Sequence, residues 1–191
     1  MTARDDRSRA APLTADRILA AAEEVLRRHG PAKTNVVDVA RALGVSHGSV
    51  YRHFPSKAAL RAAVAARFLD DMSKPLEGID DARRWFETLI ATKRRRALED
   101  PELFATYVAL AAESGDVIKD HVEHLIQSLT SIVGDERTAR AMFIATARFH
   151  DPAHAATWGD PHIDEDFESV WELLAQASTR PASSAHSSAA R

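Results

Sequence analysis

One short segment of the chain concentrates side chains that donate hydrogen bonds. Residues 44–57 read Gly-Val-Ser-His-Gly-Ser-Val-Tyr-Arg-His-Phe-Pro-Ser-Lys. A helix that only packs against its neighbours needs one apolar stripe and accepts any polar residue on the opposite side. This segment instead combines an apolar edge with two histidines, an arginine, serines and a tyrosine. The mixture predicts a face that hydrogen-bonds a polar partner.

A second set of chemically active side chains consists of five histidines in the C-terminal half. They are His121, His124, His150, His154 and His162. Spacings of three or four residues place side chains on one face of a helix, which is how paired imidazoles bind Zn or Ni. The candidate metal ligands are His121, His150 and His154. Pro152 can start a new turn and spoil the second spacing, and the alternative is that these histidines are ordinary hydrogen-bonded residues at helix ends.

The run Lys93-Arg94-Arg95-Arg96 suggests a basic patch. Four successive helical residues cover about 300° of the circumference, so they cannot form one basic face. Lys93 and Arg96 instead lie in line with the apolar stripe that contains Trp85 and Leu89. A cation there needs a carboxylate, an anionic ligand or a route by which its head group reaches water. The carboxylates available for ordinary pairing are Glu99, Glu102 and Glu113.

The elements that position these residues are helices, since helical periodicity dominates and no convincing alternating strand is present. Thr14 can cap a first helix that ends at Gly30. Thr34 or Asn35 can cap a second, short helix that Gly44 stops. The N-terminal part of the chain therefore begins with one long and one short helix.

Two further helices complete this N-terminal unit. Val50 and Phe54 are four residues apart and form the inner edge of a third helix, which Pro55 ends. Ser56 caps a fourth helix that runs to about Met72. Two short helices joined by a glycine-containing turn and braced by a longer helix make a helix-turn-helix unit.

This arrangement indicates what the polar face binds. With Val50 inward, steps of about 100° per residue place Arg52, Ser49 and Gly48 on the outer side of the third helix. The second helix of such a unit enters the DNA major groove by its N-terminal part, where Gly48 permits close approach. The side chains predicted to reach base edges are His47, Ser49 and Arg52. Those better placed for phosphates are Tyr51, His53 and Lys57. The alternative is a solvated face of a helical bundle.

Composition limits the remaining function classes. The 191 residues are 45% hydrophobic, enough for a real core. No apolar run approaches the ~18 residues of a membrane span, and the N-terminus lacks an apolar signal segment, so we expect a cytoplasmic protein with no membrane partner. The absence of cysteine excludes disulfides, thiolate metal sites and cysteine nucleophiles.

The charge is unevenly distributed along the chain. Residues 1–75 carry 13 Lys and Arg against 8 Asp and Glu, whereas residues 76–191 carry 12 against 20. A basic part joined to an acidic remainder predicts that only the N-terminal part binds a polyanion.

The N-terminal residues resemble those of a known family. Thr34, Val39-Ala40 and the run from Gly44 to Lys57 are similar to the signature of the TetR/AcrR family of bacterial transcriptional regulators. The likeness covers about residues 14–72 and rests on the Gly-Val-Ser turn, the Tyr-x-x-Phe pair and the following Ser-Lys at fixed spacing. It implies an all-helical homodimer that binds double-stranded DNA, usually as a repressor on a palindromic operator, with a small-molecule effector. The family's DNA-contacting positions fall on Thr34, His47, Gly48, Ser49, Tyr51, Arg52, His53 and Lys57.

The C-terminal part is helical but less distinctive. Helices are predicted over about 80–99, 101–113, 115–133, 135–150 and 163–178, with a helical turn near 153–158. The last two helices carry apolar stripes of Met142, Phe143, Ala147, Phe167, Val170, Trp171 and Leu174. By resemblance these stripes form the four-helix bundle of a dimer, and the alternative is that they only close the core of one protomer. The candidate effector-binding residues are Trp85, Leu89, Lys93, Arg96 and Tyr107.

We therefore predict an all-α protein that is a ligand-responsive, DNA-binding regulator and not an enzyme. Its expected segments are a disordered arm (1–11), a helix-turn-helix domain (12–55), a connecting helix (56–75), an effector and dimerisation domain (76–178) and a disordered tail (179–191). The alternative is a helical metal-dependent enzyme or metal sensor that uses the C-terminal histidines with Zn or Ni. The enzyme alternative lacks a His-Glu-x-x-His helix, a phosphate-binding glycine loop and a Ser-x-Gly elbow.

Overall fold

A computed structural model describes residues 12–30 and 34–179, and within those ranges it contains helices and no strand. The predicted all-α class is confirmed. The α-helices, in chain order, are α1 (Ala15–His29), α2 (Val36–Leu43), α3 (His47–Tyr51), α4 (Lys57–Ser73), α5 (Ala82–Glu99), α6 (Pro101–Ala112), α7 (Gly115–Val133), α8 (Glu136–Ala145), α9 (Ala147–His150) and α10 (Ile163–Thr179). Two 3-10 turns cover Lys74–Leu76 and Pro152–Thr157.

The chain forms two compact units. The first takes residues up to 69 together with 105–118, and the second takes residues 70–104 together with those from 119 onward. Helices α4, α6 and α7 each contribute residues to both units. The predicted arm, residues 1–11, and nearly all of the predicted tail, residues 180–191, lie outside the described residues.

Local capping explains where the helices of the first unit begin and end. The Thr14 hydroxyl accepts a hydrogen bond from the Arg17 N–H at 3.2 Å, which confirms the predicted cap of α1. The Asn35 side chain accepts hydrogen bonds from two N–H groups at 3.0 Å each, so Asn35 rather than Thr34 caps α2. Gly44 ends α2 with a φ of 67°, in the left-handed region that suits glycine.

A continuous apolar core fills the second unit. Trp85, Phe86 and Leu89 of α5 are fully buried and pack in one cluster with residues of α7, α8 and α10. Met142 and Phe167, from the predicted apolar stripes, also belong to this core. The stripes therefore close the protomer's own core with their inner sides. Within the described part of the chain, no helix is long and apolar enough to cross a membrane.

The predicted helix over 135–150 is wrong in one respect, because it is interrupted at Thr146. This residue separates α8 from α9 with φ −97° and ψ 6°. Its buried hydroxyl donates to the Met142 carbonyl at 2.9 Å and also lies 3.3 Å from the Phe143 carbonyl. A threonine that hydrogen-bonds the preceding turn in this way favours a bend in the helix.

Candidate functional site

Helix α3 presents a polar face opposite two buried apolar side chains. Val50 is completely buried and Phe54 is 9% exposed, which confirms the predicted inner edge. The outward residues, here called the α3 face, are His47, Gly48, Ser49, Tyr51, Arg52 and His53. All of these are exposed except Ser49, which is half-buried. The face can therefore approach a large polar partner without unfolding the core.

A hydrogen-bonded chain within the α3 face orients its donors. Ser46 caps α3, and its hydroxyl accepts a hydrogen bond from the Ser49 N–H at 3.2 Å. The two serine hydroxyls are 2.9 Å apart, and the Arg52 guanidinium donates to the Ser49 hydroxyl at 3.3 Å. Sequence reasoning missed Ser46 as an organiser, although a serine three residues before another polar residue is a capping signal.

Lys57 stands beside the α3 face at the first position of α4. The Ser56 hydroxyl accepts a hydrogen bond from the Ala59 N–H at 3.0 Å, which confirms Ser56 as the cap of α4. Lys57 itself is exposed. An exposed cation at a helix start, next to a face of hydrogen-bond donors, suits a phosphate.

Thr34 does not share this exposed position. Its side chain is completely buried, and its hydroxyl donates to the Gly30 carbonyl at the end of α1 at 3.2 Å. The hydroxyl therefore ties the end of α1 to the start of α2 and is not presented to a partner, unlike the other predicted DNA contacts.

The predicted metal site is wrong. Among the described residues, no three His, Cys, Asp or Glu side chains lie close enough together to hold a metal ion. His150 is buried, and its Nε2 lies 3.1 Å from the Phe143 carbonyl. Because a carbonyl oxygen only accepts, this Nε2 carries the proton and has no lone pair for a metal. His154 lies on an exposed 3-10 turn, as the break at Pro152 allows.

The predicted effector residues do not form one group. Trp85 and Leu89 are fully buried and Lys93 is only 7% exposed, all on α5 in the second unit. Arg96 is exposed, in agreement with the predicted alternative that its head group reaches water, because it lies in the last turn of α5. Tyr107 belongs to the first unit, where its ring stacks on Phe68 with centroids 4.1 Å apart.

Lys93 has no ion pair within the described part of the chain. Glu113, one of its predicted partners, instead makes a two-point ion pair with Arg61 in the first unit, at 2.8 and 2.5 Å. The neighbouring Arg94 pairs with Asp164 at 2.6 Å. The prediction that the basic run forms no single patch is confirmed, because one of its members is buried and another is paired.

Burial shapes the electrostatics around Lys93. Desolvation lowers the pKa of Lys93 from 10.5 to about 8, although Asp151 partly opposes the shift. Desolvation and the Lys93 charge lower the pKa of His121 to about 3 and that of His150 to about 4. Both imidazoles are therefore neutral at pH 7. The His121 Nε2 is buried and has no hydrogen-bond partner.

An open groove of about 310 Å³ lies in the same unit. Its lining residues are Ser73, Leu76, Glu77, His124, Leu125, Gln127, Ser128 and Ser131. The Trp85 indole N–H donates to the Ser128 hydroxyl at 3.1 Å, so the core tryptophan is tied to the wall of the groove. None of the predicted effector residues lines this groove.

Comparison with known proteins matches both units of the chain. Residues 18–64 match the family model described as bacterial regulatory proteins, tetR family. Residues 80–171 match the model described as tetracyclin repressor-like, C-terminal domain. A curated relative, an uncharacterized HTH-type transcriptional regulator of Mycobacterium tuberculosis, is 33% identical over 105 residues. The match covers 52% of each protein, so the chain spans about half the length of the curated relatives it matches.

Solved structures share the fold at low sequence identity. BioQ of Mycobacterium smegmatis is 24% identical, with a TM-score of 0.53, over 86% of this chain and 97% of that one. BioQ bound to its double-stranded DNA operator gives 23% identity and a TM-score of 0.54, over 86% and 99% of the two chains. The fatty acid degradation regulator FadR of Bacillus halodurans is 19% identical, with a TM-score of 0.52, over 84% of this chain and 97% of that one. These likenesses bear on the fold alone.

Proposed function

Because the chain belongs to the TetR family of bacterial regulatory proteins, we propose that it is a transcriptional regulator that binds DNA through the α3 face. The observation that carries the proposal is the position of this face. It lies within the segment that matches the family's N-terminal model and is exposed opposite the buried Val50 and Phe54. A short helix whose outer side is exposed and carries hydrogen-bond donors can enter the DNA major groove.

Contacts to base edges and to phosphates divide between two groups of side chains. His47 and Ser49 stand at the start of α3, and Arg52 follows directly after its end. These donors can read acceptor patterns in the major groove, while Gly48 lets the backbone come near. Tyr51, His53 and Lys57 flank the helix and hold it on the phosphates, without reading sequence.

The ordered serines and Arg52 have a consequence for specificity. Arg52 donates to Ser49 in the free protein, so its guanidinium exchanges this bond for a base contact when DNA binds. A group that is already oriented loses less conformational entropy on binding.

A homodimer on a palindromic operator completes the proposal. Three large apolar side chains remain exposed in the second unit: Leu98 of α5 is 54% exposed, Ile144 of α8 is 68% exposed and Leu173 of α10 is 66% exposed. Ile144 and Leu173 are solvent-exposed apolar residues on α8 and α10, the helices that carry the predicted stripes. Their exposure supports pairing of these helices with a second copy of the chain. Two α3 faces related by a two-fold axis require two half-sites of opposite orientation.

We further propose that the protein represses transcription and that a small effector in the second unit controls its DNA affinity. A dimer on an operator blocks access to the promoter, and an effector that prefers another conformation weakens that complex. The buried Lys93 next to the core residues Trp85 and Leu89 is the feature that supports an effector site there.

Selection of bound fragments from random-sequence DNA, followed by gel retardation, tests the proposal. We expect an inverted repeat to emerge and two protomers to bind each copy. Tyr51→Ala should weaken binding to every sequence, whereas Ser49→Ala should change the preferred base. Arg95→Ala is the matched control, since it removes an exposed cation from the second unit. Failure to enrich any sequence, or equal effects of all three variants, would show that the α3 face is not the reading surface.

A promoter reporter that carries the selected repeat tests the sign of regulation. Repression predicts lower reporter output when the protein is expressed and recovery of output with Tyr51→Ala. Higher output with the wild-type protein would identify an activator instead.

A further inference from the structure

We propose that the second unit binds a carboxylate whose charged end lies against Lys93 and His121, with its apolar body among aromatic side chains. The inference rests on the proposed function and names the chemical class of the effector. Nothing in the family match assigns this class.

The first step concerns Lys93, which is only 7% exposed as a residue and has no ion pair within the described residues. Burying an ammonium without a partner costs free energy. A lysine in a protein core therefore either pairs with an anion or contributes only through the packing of its side chain. The charge of Asp151 acts on Lys93, and one oxygen of this carboxylate caps a 3-10 turn by accepting the Ala153 N–H at 2.9 Å. Asp151 acts without forming an ion pair with Lys93 among the described residues, so the ammonium can still pair with a further anion.

The second step concerns His121. Its Nε2 is buried without any hydrogen-bond partner, and it alone has this state among the buried side-chain nitrogen and oxygen atoms of the described residues. Buried polar atoms normally find a partner, so an orphaned one requires an explanation. Desolvation, together with the charge of Lys93, lowers the pKa of His121 and keeps its imidazole neutral. A neutral imidazole can hold its proton on Nε2 and donate it to a carboxylate oxygen.

Aromatic side chains lie around His150, the other imidazole on which the Lys93 charge acts. The His150 imidazole is hydrogen-bonded to the Phe143 carbonyl, and its ring packs against Phe143 with centroids 4.4 Å apart and near Phe86 at 6.2 Å. These rings supply apolar surface for a ligand body in the same unit. His124, one helical turn from His121 on α7, lines the open groove of about 310 Å³, and we take this groove as the ligand's approach to the pair.

The ligand class follows from these contacts. A carboxylate supplies two acceptor oxygens, one for the Lys93 ammonium and one for the His121 N–H. An apolar chain or ring then covers the aromatic surface. A neutral amide of the same shape can accept one of these bonds but does not neutralise the cation.

Two isosteric variants test the proposal. Lys93→Met removes the charge and keeps the side-chain length, and His121→Phe removes the donor and keeps the ring. Lys119→Met is the control, because Lys119 is an exposed lysine on α7. The probes are octanoate, decanoate and phenylbutyrate, each beside its primary amide. Affinity is read by titration calorimetry and by the change in tryptophan fluorescence.

The wild-type protein should prefer a carboxylate over its amide by roughly tenfold to a hundredfold. Lys93→Met should abolish that preference, His121→Phe should reduce it, and Lys119→Met should leave it intact. The preferred carboxylate should also release wild-type protein from its operator, whereas operator binding by the Lys93→Met protein should no longer respond to it.

Two results would overturn the inference: no carboxylate bound below millimolar concentration, or an unchanged preference in Lys93→Met. Operator binding without added ligand separates this failure from failure of the proposed function. If wild-type protein binds operator and no carboxylate, only the ligand class is wrong. If it binds no DNA, the regulatory proposal is wrong, and the carboxylate preference is still decided by calorimetry.

Discussion

Replacing Lys93 with methionine should stabilise the protein at neutral pH. Methionine has a similar length and volume, so the core keeps its packing while a buried charge is removed. Burial lowers the pKa of Lys93 from 10.5 to about 8, and a shift of that size corresponds to a cost of roughly 3 kcal/mol for the charged form. The free energy of unfolding of Lys93→Met should exceed that of wild type by up to roughly this amount at pH 7.

The stability difference between Lys93→Met and wild type should depend on pH in a characteristic way. Between pH 8 and pH 10.5 the unfolded chain keeps Lys93 protonated while the folded protein releases the proton. The unfolded state therefore binds more protons, and the stability contributed by this residue rises with pH across the window. The advantage of Lys93→Met over wild type should shrink as the pH rises from 8 and disappear above about 10.5.

Urea unfolding at fixed protein concentration, measured at pH 7, 8, 9 and 10, provides the assay. Lys119→Met serves as the exposed control and should leave stability within about 0.5 kcal/mol of wild type at every pH. A Lys93→Met protein that is less stable than wild type, or whose advantage does not change with pH, would refute the reasoning. Either result would mean that the ammonium of Lys93 has a strong partner or reaches water.

Three further predictions concern the two shifted histidines, the buried Phe54 and Gly48 on the α3 face. The pKa values of His121 and His150 are lowered from 6.5 to about 3 and about 4, so their contribution to stability is complete above pH 6.5 and is lost as the pH falls. Free energies of unfolding from urea titrations at pH 7 and pH 5 should differ by roughly 2 kcal/mol per histidine, and equal free energies would contradict this expectation. Phe54→Ala should destabilise the first unit by ~3–5 kcal/mol, and a melting curve like that of wild type would mean that Phe54 does not pack inward. At Gly48 an added Cβ meets nothing closer than the Ser46 hydroxyl at 4.0 Å, so Gly48→Ala should fold normally yet lose operator affinity on the order of tenfold, as gel retardation can establish.

Much of the first unit could be predicted because its signals are local. Caps at Thr14 and Ser56 and the glycine at the end of α2 depend on residues within one turn. The four-residue spacing of Val50 and Phe54 fixed the orientation of α3, and their burial confirms it. Thr34 is different, because family position pointed to DNA while the fold places its hydroxyl on the Gly30 carbonyl.

The second unit was harder to predict because its chemistry depends on contacts between distant segments. Spacing alone suggested that His150 and His154 share a helix face, but α9 ends at His150 and a separate 3-10 turn begins at Pro152. The same limit applies in the first unit, where the pairing of Glu113 with Arg61 joins residues 52 positions apart and could not be read from periodicity. The angular estimate agrees with the burial of Lys93, whereas Arg96 is exposed although its angle lies between those of Trp85 and Leu89, because it lies in the last turn of α5 where a long side chain reaches water.

The central claim is that the α3 face and Lys57 bind DNA. The salt dependence of operator binding tests this claim most directly. Each phosphate neutralised by the protein contributes roughly −0.9 to the slope of log affinity against log salt. Lys57→Ala should reduce the steepness of this slope by roughly 1.8 for a dimer, which loses one phosphate contact from each protomer. Arg95→Ala, which removes an exposed cation from the second unit, should leave the slope unchanged. A wild-type slope near zero, or equal slopes for wild type and Lys57→Ala, would contradict the assignment.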